Sequence, residues 1–281
     1  MNFKQNPFSL YDFLGYFTPG AIFAYTLLAL EPHVAGALGI KLVDGDALQF
    51  SSPQLYVPFV LFAYVFGHLL NYLSSVIVEK YSIWSFGYPS KYLLGVRVYG
   101  FFEIGKEAGI GLRIAARLLF GIMLLPVALF DFVFCRLLSG KKLVARPLDP
   151  VLAKIIKENM NRLLKRKSGV EKLRDHGSPV ETDFFRFAYH FVVENCPNHF
   201  PKCQNYVAIY GFLRTMTLIT ATFWWFTAIH IVWIDYSLAY LGMVLGFGAL
   251  TAIFYLAFIK FYRRFGLEVY MAISTCDAIE T

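Results

Sequence analysis

Charged residues are scarce in this chain: Asp, Glu, Lys and Arg make up 16% of its 281 residues. Soluble globular domains average about 25% charged residues, so this shortage argues against a surface that faces water throughout. The apolar content of 57% and the mean hydropathy of +0.53 point in the same direction. We therefore expect a helical membrane protein.

Cysteine is scarce as well, with four residues in the whole chain, which excludes the disulfide framework of a small secreted protein. A secretory signal peptide is also not indicated. The first apolar segment is interrupted by Asp12, Pro19 and Gly20, and no small-residue cleavage site follows it. We expect this segment to be retained.

Signatures of the commoner enzyme classes are missing from the sequence. It contains no Walker A loop, no G-x-S-x-G, no H-E-x-x-H, no dinucleotide-binding fingerprint and no acid-rich metal motif like that of lipid-headgroup transferases. These absences favour a protein that is not an enzyme.

Long apolar runs dominate what is present. Because a membrane-spanning helix needs about 20 apolar residues, four runs qualify as spans: 10–30, 55–78, 215–233 and 241–259. A fifth run, 118–135, is also apolar, but bases stand on both of its flanks.

The distribution of Lys and Arg predicts the orientation, since basic loops remain in the cytoplasm. Of the 26 Lys and Arg residues, Lys41 alone falls in the linkers 31–54 and 234–240. Placing both linkers outside leaves both termini in the cytoplasm. If the run 118–135 spanned the membrane, one of its two basic flanks would lie outside. We therefore expect this helix to be broken near Pro126. Five spans with the C-terminus outside is the alternative.

The predicted fold is all-α: a polytopic helical membrane protein with four spans, both termini inside, a re-entrant or interfacial helical segment and a small cytoplasmic helical domain. We expect it in the cell inner membrane. The predicted domains are a first transmembrane hairpin (1–78), interfacial and re-entrant segments (79–135), a basic cytoplasmic domain (136–205) and a second transmembrane hairpin with a C-terminal tail (206–281). The domain 136–205 is too small to be stable alone, so it should pack on the membrane helices or on a neighbouring copy.

A cluster of His and Cys residues precedes the fourth span in AYHFVVENCPNHFPKC, residues 188–203. Structural zinc sites use these residue types, and the candidate ligands are His190, Cys196, His199 and Cys203. Their spacing, H-x5-C-x2-H-x3-C, matches no zinc-finger pattern. The alternative is a proline-stiffened turn in which these side chains only pack. A structural zinc ion would brace the corner between domain and membrane, and no other cofactor is expected.

Polar groups inside the apolar runs are a second set of candidates, because ionisable residues in a membrane are often functional. They are His68, Asn71, Asp131 and His230. A proton or ion path could use the first three. The alternative is a network of hydrogen bonds that fixes helix packing.

Basic residues form a third set of candidates, for the binding of anionic lipid headgroups. Arg113, Arg117 and Arg136 flank the run 118–135, whereas a predicted helix after Asp149 carries the bases Lys154, Lys157, Arg162, Lys165 and Arg166. The alternative is a solvated face that only follows the positive-inside bias. No nucleic-acid-binding motif accompanies these bases, so we expect membrane lipids rather than nucleic acid as partners.

The opening stretch YDFLGYFTPG, residues 11–20, together with the number of spans, resembles uncharacterised membrane components of bacterial anti-phage defence systems. The resemblance implies a membrane part that perturbs the bilayer when triggered. We expect a non-enzymatic integral membrane protein whose cytoplasmic domain senses or docks a protein partner and transmits to the membrane part. The Gly242-x3-Gly246 spacing favours close helix packing and a homo-oligomer.

Two other functions stay open at this stage. One is a small channel or transporter that uses His68, Asn71 and Asp131. The other is a membrane-embedded lipid-modifying enzyme, in which the arginines around the run 118–135 would hold an anionic headgroup.

Overall fold

The computed structural model describes residues 12–38, 53–95, 101, 110–137, 144–168, 184–234 and 236–276. Of these residues 90% are helical and none is in a strand, which confirms the prediction of an all-α chain. The chain divides into two compact units. The first unit comprises Met1–Lys80, Leu118–Phe130 and Gly211–Ala257, and the second comprises Tyr81–Arg117, Asp131–Tyr210 and Phe258–Thr281.

The described α-helices are, in chain order, α1 (Thr18–Leu38), α2 (Pro53–Ser74), α3 (Lys80–Phe86), α4 (Pro89–Tyr92), α5 (Ile110–Met123), α6 (Leu125–Phe130), α7 (Pro150–Ser168), α8 (Phe184–Asn195), α9 (Phe200–Trp233) and α10 (Leu238–Thr275). Three π-helical segments adjoin them: Phe13–Phe17, Ser75–Glu79 and Asp131–Leu137.

Four helical segments are long and apolar enough to cross a membrane: Phe13–Leu30, Tyr56–Tyr92, Phe200–Trp233 and Leu238–Thr275. They coincide with the four predicted runs, so the prediction of four helices long and apolar enough to cross a membrane is confirmed. The last three segments are longer than the predicted runs. The second continues to Tyr92, the third begins already at Phe200, and the fourth continues to Thr275.

The fifth apolar run is a pair of helices, α5 and α6, bent by 96° at a short break. The break falls at Leu124, two residues before the predicted position at Pro126. Counted as one broken span, the pair would raise the number of spans to five.

Phenylalanine-rich packing forms the core of the first unit. Leu70 of α2 and Ile219 and Phe223 of α9 are buried there. Around them lie partly buried side chains of α1, α2, α9 and α10: Ile22, Phe23, Leu27, Phe66, Phe212, Phe226, Phe247 and Phe254. The outward face of α2 is apolar too, with Val57, Val60, Leu61, Phe62, Val65 and Leu69 exposed. An exposed apolar face of this length suits contact with lipid.

Glycine allows α1 and α2 to approach each other closely. A Cβ atom built at Gly20 would lie 1.8 Å from the carbonyl oxygen of Ala63, and one built at Gly67 would lie 1.9 Å from that of Tyr16. Both distances are shorter than any contact between non-bonded atoms, so a larger residue would separate the helices. Small residues serve this purpose in membrane helix pairs, and here Gly20 ends the opening stretch YDFLGYFTPG.

The break between α5 and α6 is capped by Trp225 of α9. The last carbonyl groups of a helix have no donor within that helix, and an unpaired carbonyl is costly where water is absent. The Trp225 indole Nε1 donates to the carbonyl oxygens of Ile122, at 3.0 Å, and Met123, at 3.1 Å. Pro126, in the first turn of α6, lacks an N–H group that the helix does not need there.

The second unit has its own core. The apolar faces of α7 and α8 meet there, and the core also takes in residues from 92–94 and 265–273. Its buried members include Leu93, Ile156, Met160, Leu163, Phe184, Ala188, Phe191, Val269 and Ile273. The predicted cytoplasmic domain, 136–205, therefore shares its core with residues on both sides of it in the sequence.

Helix α7 begins and helix α8 ends at residues that carry a local signal in the sequence. Asp149 caps α7, because its Oδ1 accepts the N–H of Val151 at 2.9 Å, and Pro150 is the first helical residue. Helix α8 ends at Asn195, two residues before Pro197.

We predict that Trp225→Phe lowers the stability of the protein in detergent micelles. The substitution keeps an aromatic side chain but removes the N–H group that donates to the Ile122 and Met123 carbonyl oxygens. Loss of these hydrogen bonds should cost about 1–2 kcal/mol and lower the apparent Tm. The matched control is Trp224→Phe, since the adjacent indole lies against Gly248 rather than against the break. Equal melting temperatures for the two variants would contradict the capping role.

Candidate functional site

The first unit contains a buried charge, Arg214 of α9, whose residue is 8% exposed. Its guanidinium group is held by α2 and the turn that follows. Nη2 donates to Asn71 Oδ1 at 2.8 Å, Nε donates to Ser74 Oγ at 3.2 Å, and Nη1 donates to the Glu79 carboxylate. The hydroxyls of Ser74 and Thr215 lie 3.1 Å apart. We call these five residues the Arg214 network.

The charges in this network compensate each other. Burying a lone guanidinium is costly unless a carboxylate and further acceptors replace its water. Glu79 supplies the negative charge, and Asn71 and Ser74 accept the remaining hydrogen bonds. Because Arg214 belongs to α9 and its partners belong to α2 and the adjoining π-helical turn, the network fastens these two segments together.

Three buried threonines of α9 are satisfied by its own backbone. Thr217, Thr220 and Thr227 each donate a hydroxyl hydrogen to the carbonyl group four residues earlier, at 2.8–3.0 Å.

The predicted polar residues are placed as follows. His68 of α2 is exposed and stacks on Tyr16, with ring centroids 3.8 Å apart. Asn71 belongs to the Arg214 network. His230 is buried near the end of α9 and packs on Tyr240 at 4.0 Å. Asp131 begins the π-helical segment Asp131–Leu137 of the second unit. The contacts of Asn71 and His230 are those of packing residues.

Arg117 of the second unit lies between aromatic rings. Its guanidinium carbon is 5.5 Å from the centre of the Trp84 ring and 5.8 Å from that of Phe101, and Nη1 donates to the Phe101 carbonyl oxygen. Cation–π contacts of this kind are typical of arginines at an apolar–polar boundary. Arg113, one turn earlier, is exposed, and the side chain of Arg136 lies outside the described residues.

The predicted basic helix corresponds to α7, and its bases lie on an exposed face. Its bases all point away from the core of the second unit: Lys154, Lys157, Arg162, Lys165 and Arg166. Lys154 lies 4.0 Å from Glu158. Val151, 67% exposed, and Ile155 add apolar surface at the start of the helix.

The His/Cys stretch forms the third site, where the turn after α8 meets the end of α10. His199 Nδ1 lies 2.8 Å from Glu268 Oε1, and Nε2 lies 3.2 Å from Thr275 Oγ1. The Thr275 hydroxyl donates to the Met271 carbonyl at 2.8 Å, so its oxygen accepts from the ring. Lys202 Nζ lies 3.8 Å from Glu268. We call residues 195–203 and 268–276 the Cys196 junction.

Thiols complete the Cys196 junction. Cys196 Sγ faces the Ala272 carbonyl oxygen at 3.9 Å, and Cys276 Sγ donates to the Asn195 carbonyl at 3.3 Å. Burial, and after it the neighbouring Cys276 side chain, raise the pKa of the Cys196 thiol. Cys203 is fully buried. All three thiols are free.

The four candidate zinc ligands do not converge. Both ring nitrogens of His199 are engaged, His190 is exposed, and Cys196 and Cys203 are buried in the core. Across the described ranges no group of three or more His, Cys, Asp and Glu side chains has a geometry that could hold a metal ion.

The structure also adds residues that the sequence patterns did not single out: Glu79, Arg214, Glu268 and Cys276. Arg214 and Glu79 each stand one residue beyond a predicted span. An opposite charge directly adjoining each of these two apolar runs was the one available signal.

We predict that Glu79→Gln destabilises the protein by about 2–3 kcal/mol, because it leaves the Arg214 guanidinium buried without a carboxylate. The Glu79 side chain is 23% exposed, so solvent reduces the effect below that of a fully buried pair. Chemical unfolding in detergent measures it.

The control for this prediction is Lys154→Gln, which breaks an exposed ion pair and should cost less than about 0.5 kcal/mol. A second variant, Arg214→Met with Glu79→Leu, removes both charges and should be less destabilised than Glu79→Gln alone. A Glu79→Gln protein as stable as the control would show that the pair contributes nothing.

Comparison with known proteins adds no family or relative. No protein-family description, curated protein or solved structure matches this chain. Its function must therefore be inferred from three features of its own structure. These are the Arg214 network in the first unit, and the Cys196 junction and the basic face of α7 in the second.

Proposed function

We propose that this chain is a non-enzymatic integral membrane protein in which the second unit senses or docks a partner and the first unit is a membrane module that responds. The observation that carries the proposal is the Arg214 network. The donors of the buried guanidinium face acceptors of the same unit, which is the arrangement of a fastening between helices. A binding or transport site would instead leave polar groups directed at a ligand.

An ion pair of this kind can act as a latch. Loss of one partner leaves a buried charge that favours separation of the helices. We infer that the resting membrane module is held by Arg214 and Glu79. Under this proposal, a signal from the second unit weakens their contact, and the module then perturbs the bilayer.

The basic face of α7 supports the docking role of the second unit. Its cations lie on one exposed side of a helix whose other side is fixed in a core. Such a face attracts acidic surfaces, which include an acidic protein partner and the headgroups of anionic lipids. We propose a cytoplasmic protein partner, membrane lipids around the first unit and a homo-oligomeric state.

A role in bacterial defence against phage fits this mechanism. Its support is the opening stretch YDFLGYFTPG, in which Gly20 sets the close approach of α1 to α2. A module that stays closed until triggered, and then makes the membrane leak, would stop an infected cell from supporting phage growth. We propose this as the biological context.

The proposed orientation places both termini in the cytoplasm of a cell whose inner membrane holds the protein. Single Cys residues, introduced into a variant without the native cysteines, test this when a membrane-impermeant maleimide is added outside. We predict labelling of Ser237→Cys and no labelling of Ser139→Cys or Thr281→Cys. Labelling of Ser139→Cys and Thr281→Cys but not of Ser237→Cys would establish five spans instead.

Dye release from liposomes tests the latch. We predict that vesicles reconstituted with the unmodified protein retain a small trapped dye, whereas Glu79→Gln vesicles release it, since the variant lacks the carboxylate that holds Arg214. The matched control is Trp225→Phe, which is also destabilised but keeps the ion pair, and it should retain the dye.

Two outcomes would overturn the latch. One is Glu79→Gln vesicles that hold dye as tightly as those with unmodified protein. The other is release of equal rate from Trp225→Phe vesicles, because leakage would then follow from loss of stability in general. Uptake of a specific solute that depends on His68 would favour the transporter hypothesis in place of the module.

A further inference from the structure

The Cys196 junction brings two thiols together from distant parts of the sequence. Cys196 follows the last residue of α8, and Cys276 follows the last residue of α10. Each thiol faces a backbone carbonyl of the other segment: Cys196 Sγ lies 3.9 Å from Ala272 O, and Cys276 Sγ lies 3.3 Å from Asn195 O. Burial, and after it the neighbouring Cys276 side chain, raise the pKa of the Cys196 thiol. This reciprocal arrangement places both thiols at the same contact between the two segments.

The two thiols differ in their access to solvent. Cys196 is 2% exposed, whereas Cys276 is partly exposed at the end of its helix. A small oxidant in water therefore meets Cys276 first. Cys203 is fully buried, and none of the described hydrogen bonds joins it to Cys276, so it is the natural internal control.

We propose that Cys196 and Cys276 form a redox-active dithiol that hydrogen peroxide converts to a disulfide. The proposal concerns the second unit alone and does not rest on the proposed function of the membrane module. The site takes a peroxide as its oxidant and thiol reductants as the agents that restore it.

The reaction proceeds in two balanced steps. The Cys276 thiolate attacks one peroxide oxygen, the O–O bond breaks, and the departing hydroxide takes up a proton to leave water and a Cys276 sulfenic acid. The Cys196 sulfur then attacks the Cys276 sulfur, the S–O bond breaks, and hydroxide leaves as water with the proton of the Cys196 thiol. Two thiols are oxidised by two electrons, and one peroxide is reduced to two waters.

The burial of Cys196 gives the pair a defined order of reaction. Burial raises the pKa of this thiol, so little of it is thiolate and it does not react with peroxide by itself. Once Cys276 is a sulfenic acid, the Cys196 sulfur can attack it although little of the Cys196 thiol is ionised, because the two side chains are neighbours. The pair thus stays reduced at rest and closes only after Cys276 has been oxidised.

Closure would fasten the turn before α9 to the end of α10. The same two segments are already joined by the His199–Glu268 contact and the His199–Thr275 hydrogen bond. The disulfide would add a covalent link that only a reductant can open. It would also close a long loop of the chain, and this closure stabilises the folded state.

Peptide mapping of the purified full-length protein tests the proposal. Reduced protein is treated with hydrogen peroxide in the presence of a chelator, its remaining thiols are blocked with N-ethylmaleimide, and it is digested with trypsin. Cleavage after Lys202 separates the two neighbouring cysteines, so Cys196 lies in the peptide 187–202, Cys203 in 203–214 and Cys276 in 265–281. We expect a cross-link between 187–202 and 265–281 in monomeric protein, with 203–214 carrying maleimide.

Variants assign the role of each thiol. Cys276→Ser should lose the cross-link, and Cys203→Ser should keep it. Cys196→Ser should accumulate a Cys276 sulfenic acid, which dimedone traps, because the resolving thiol is missing. Oxidation should raise the apparent Tm of unmodified and Cys203→Ser protein and leave that of Cys276→Ser unchanged.

The proposal is overturned by any of three results. Maleimide on both Cys196 and Cys276 after peroxide treatment would show that the pair does not react. A cross-link that contains the peptide 203–214 would assign the disulfide to other thiols. Sulfinic or sulfonic acid at Cys276 without a cross-link would show that Cys196 does not resolve the sulfenic acid.

Discussion

A guanidinium group buried in an apolar helix bundle must find its counter-charge and its hydrogen-bond acceptors within the protein. Arg214 finds them in Glu79, Asn71 and Ser74, and this requirement fixes how α9 lies against α2. The aromatic core between the two helices and the Trp225 cap on the α5–α6 break belong to the same unit. A change of charge in the Arg214 network would therefore alter helix packing directly.

The two units differ in which groups they bury and which they expose. The first has an exposed apolar face along α2, which suits lipid, and its buried Arg214 and threonines are hydrogen-bonded within the unit. The second buries apolar faces of α7 and α8 in a core of its own and exposes cations. Its junction residues, among them His199, Glu268 and Cys276, join by hydrogen bonds segments that are far apart in sequence. That division of surface chemistry is why we assign response to the membrane to the first unit and recognition of a partner to the second.

Much of the fold follows from the sequence, because long apolar runs, the Asp149-Pro150 cap and Pro197 are local signals. The sites were harder to predict. Hydropathy limited the predicted spans to 55–78 and 215–233, so Glu79 and Arg214 fell just outside them, although each charge continues a helical segment and is neutralised by the other. Likewise, the residue types of His190, Cys196, His199 and Cys203 suggested a ligand set, although their spacing matched no zinc finger. The actual partners of His199 and Cys196, Glu268 and Cys276, lie some seventy to eighty positions away, where no local pattern shows them.

The central claim is that contact between α2 and α9 keeps the membrane module closed. The hydroxyls of Ser74 and Thr215 lie 3.1 Å apart, so cysteines at these two positions are close enough for a disulfide. The most direct measurement is dye release from liposomes with a Glu79→Gln protein that carries Ser74→Cys and Thr215→Cys and lacks the native cysteines. The account predicts release when the pair is reduced and retention once the disulfide has formed. Release that continues unchanged through a fully formed disulfide would contradict it.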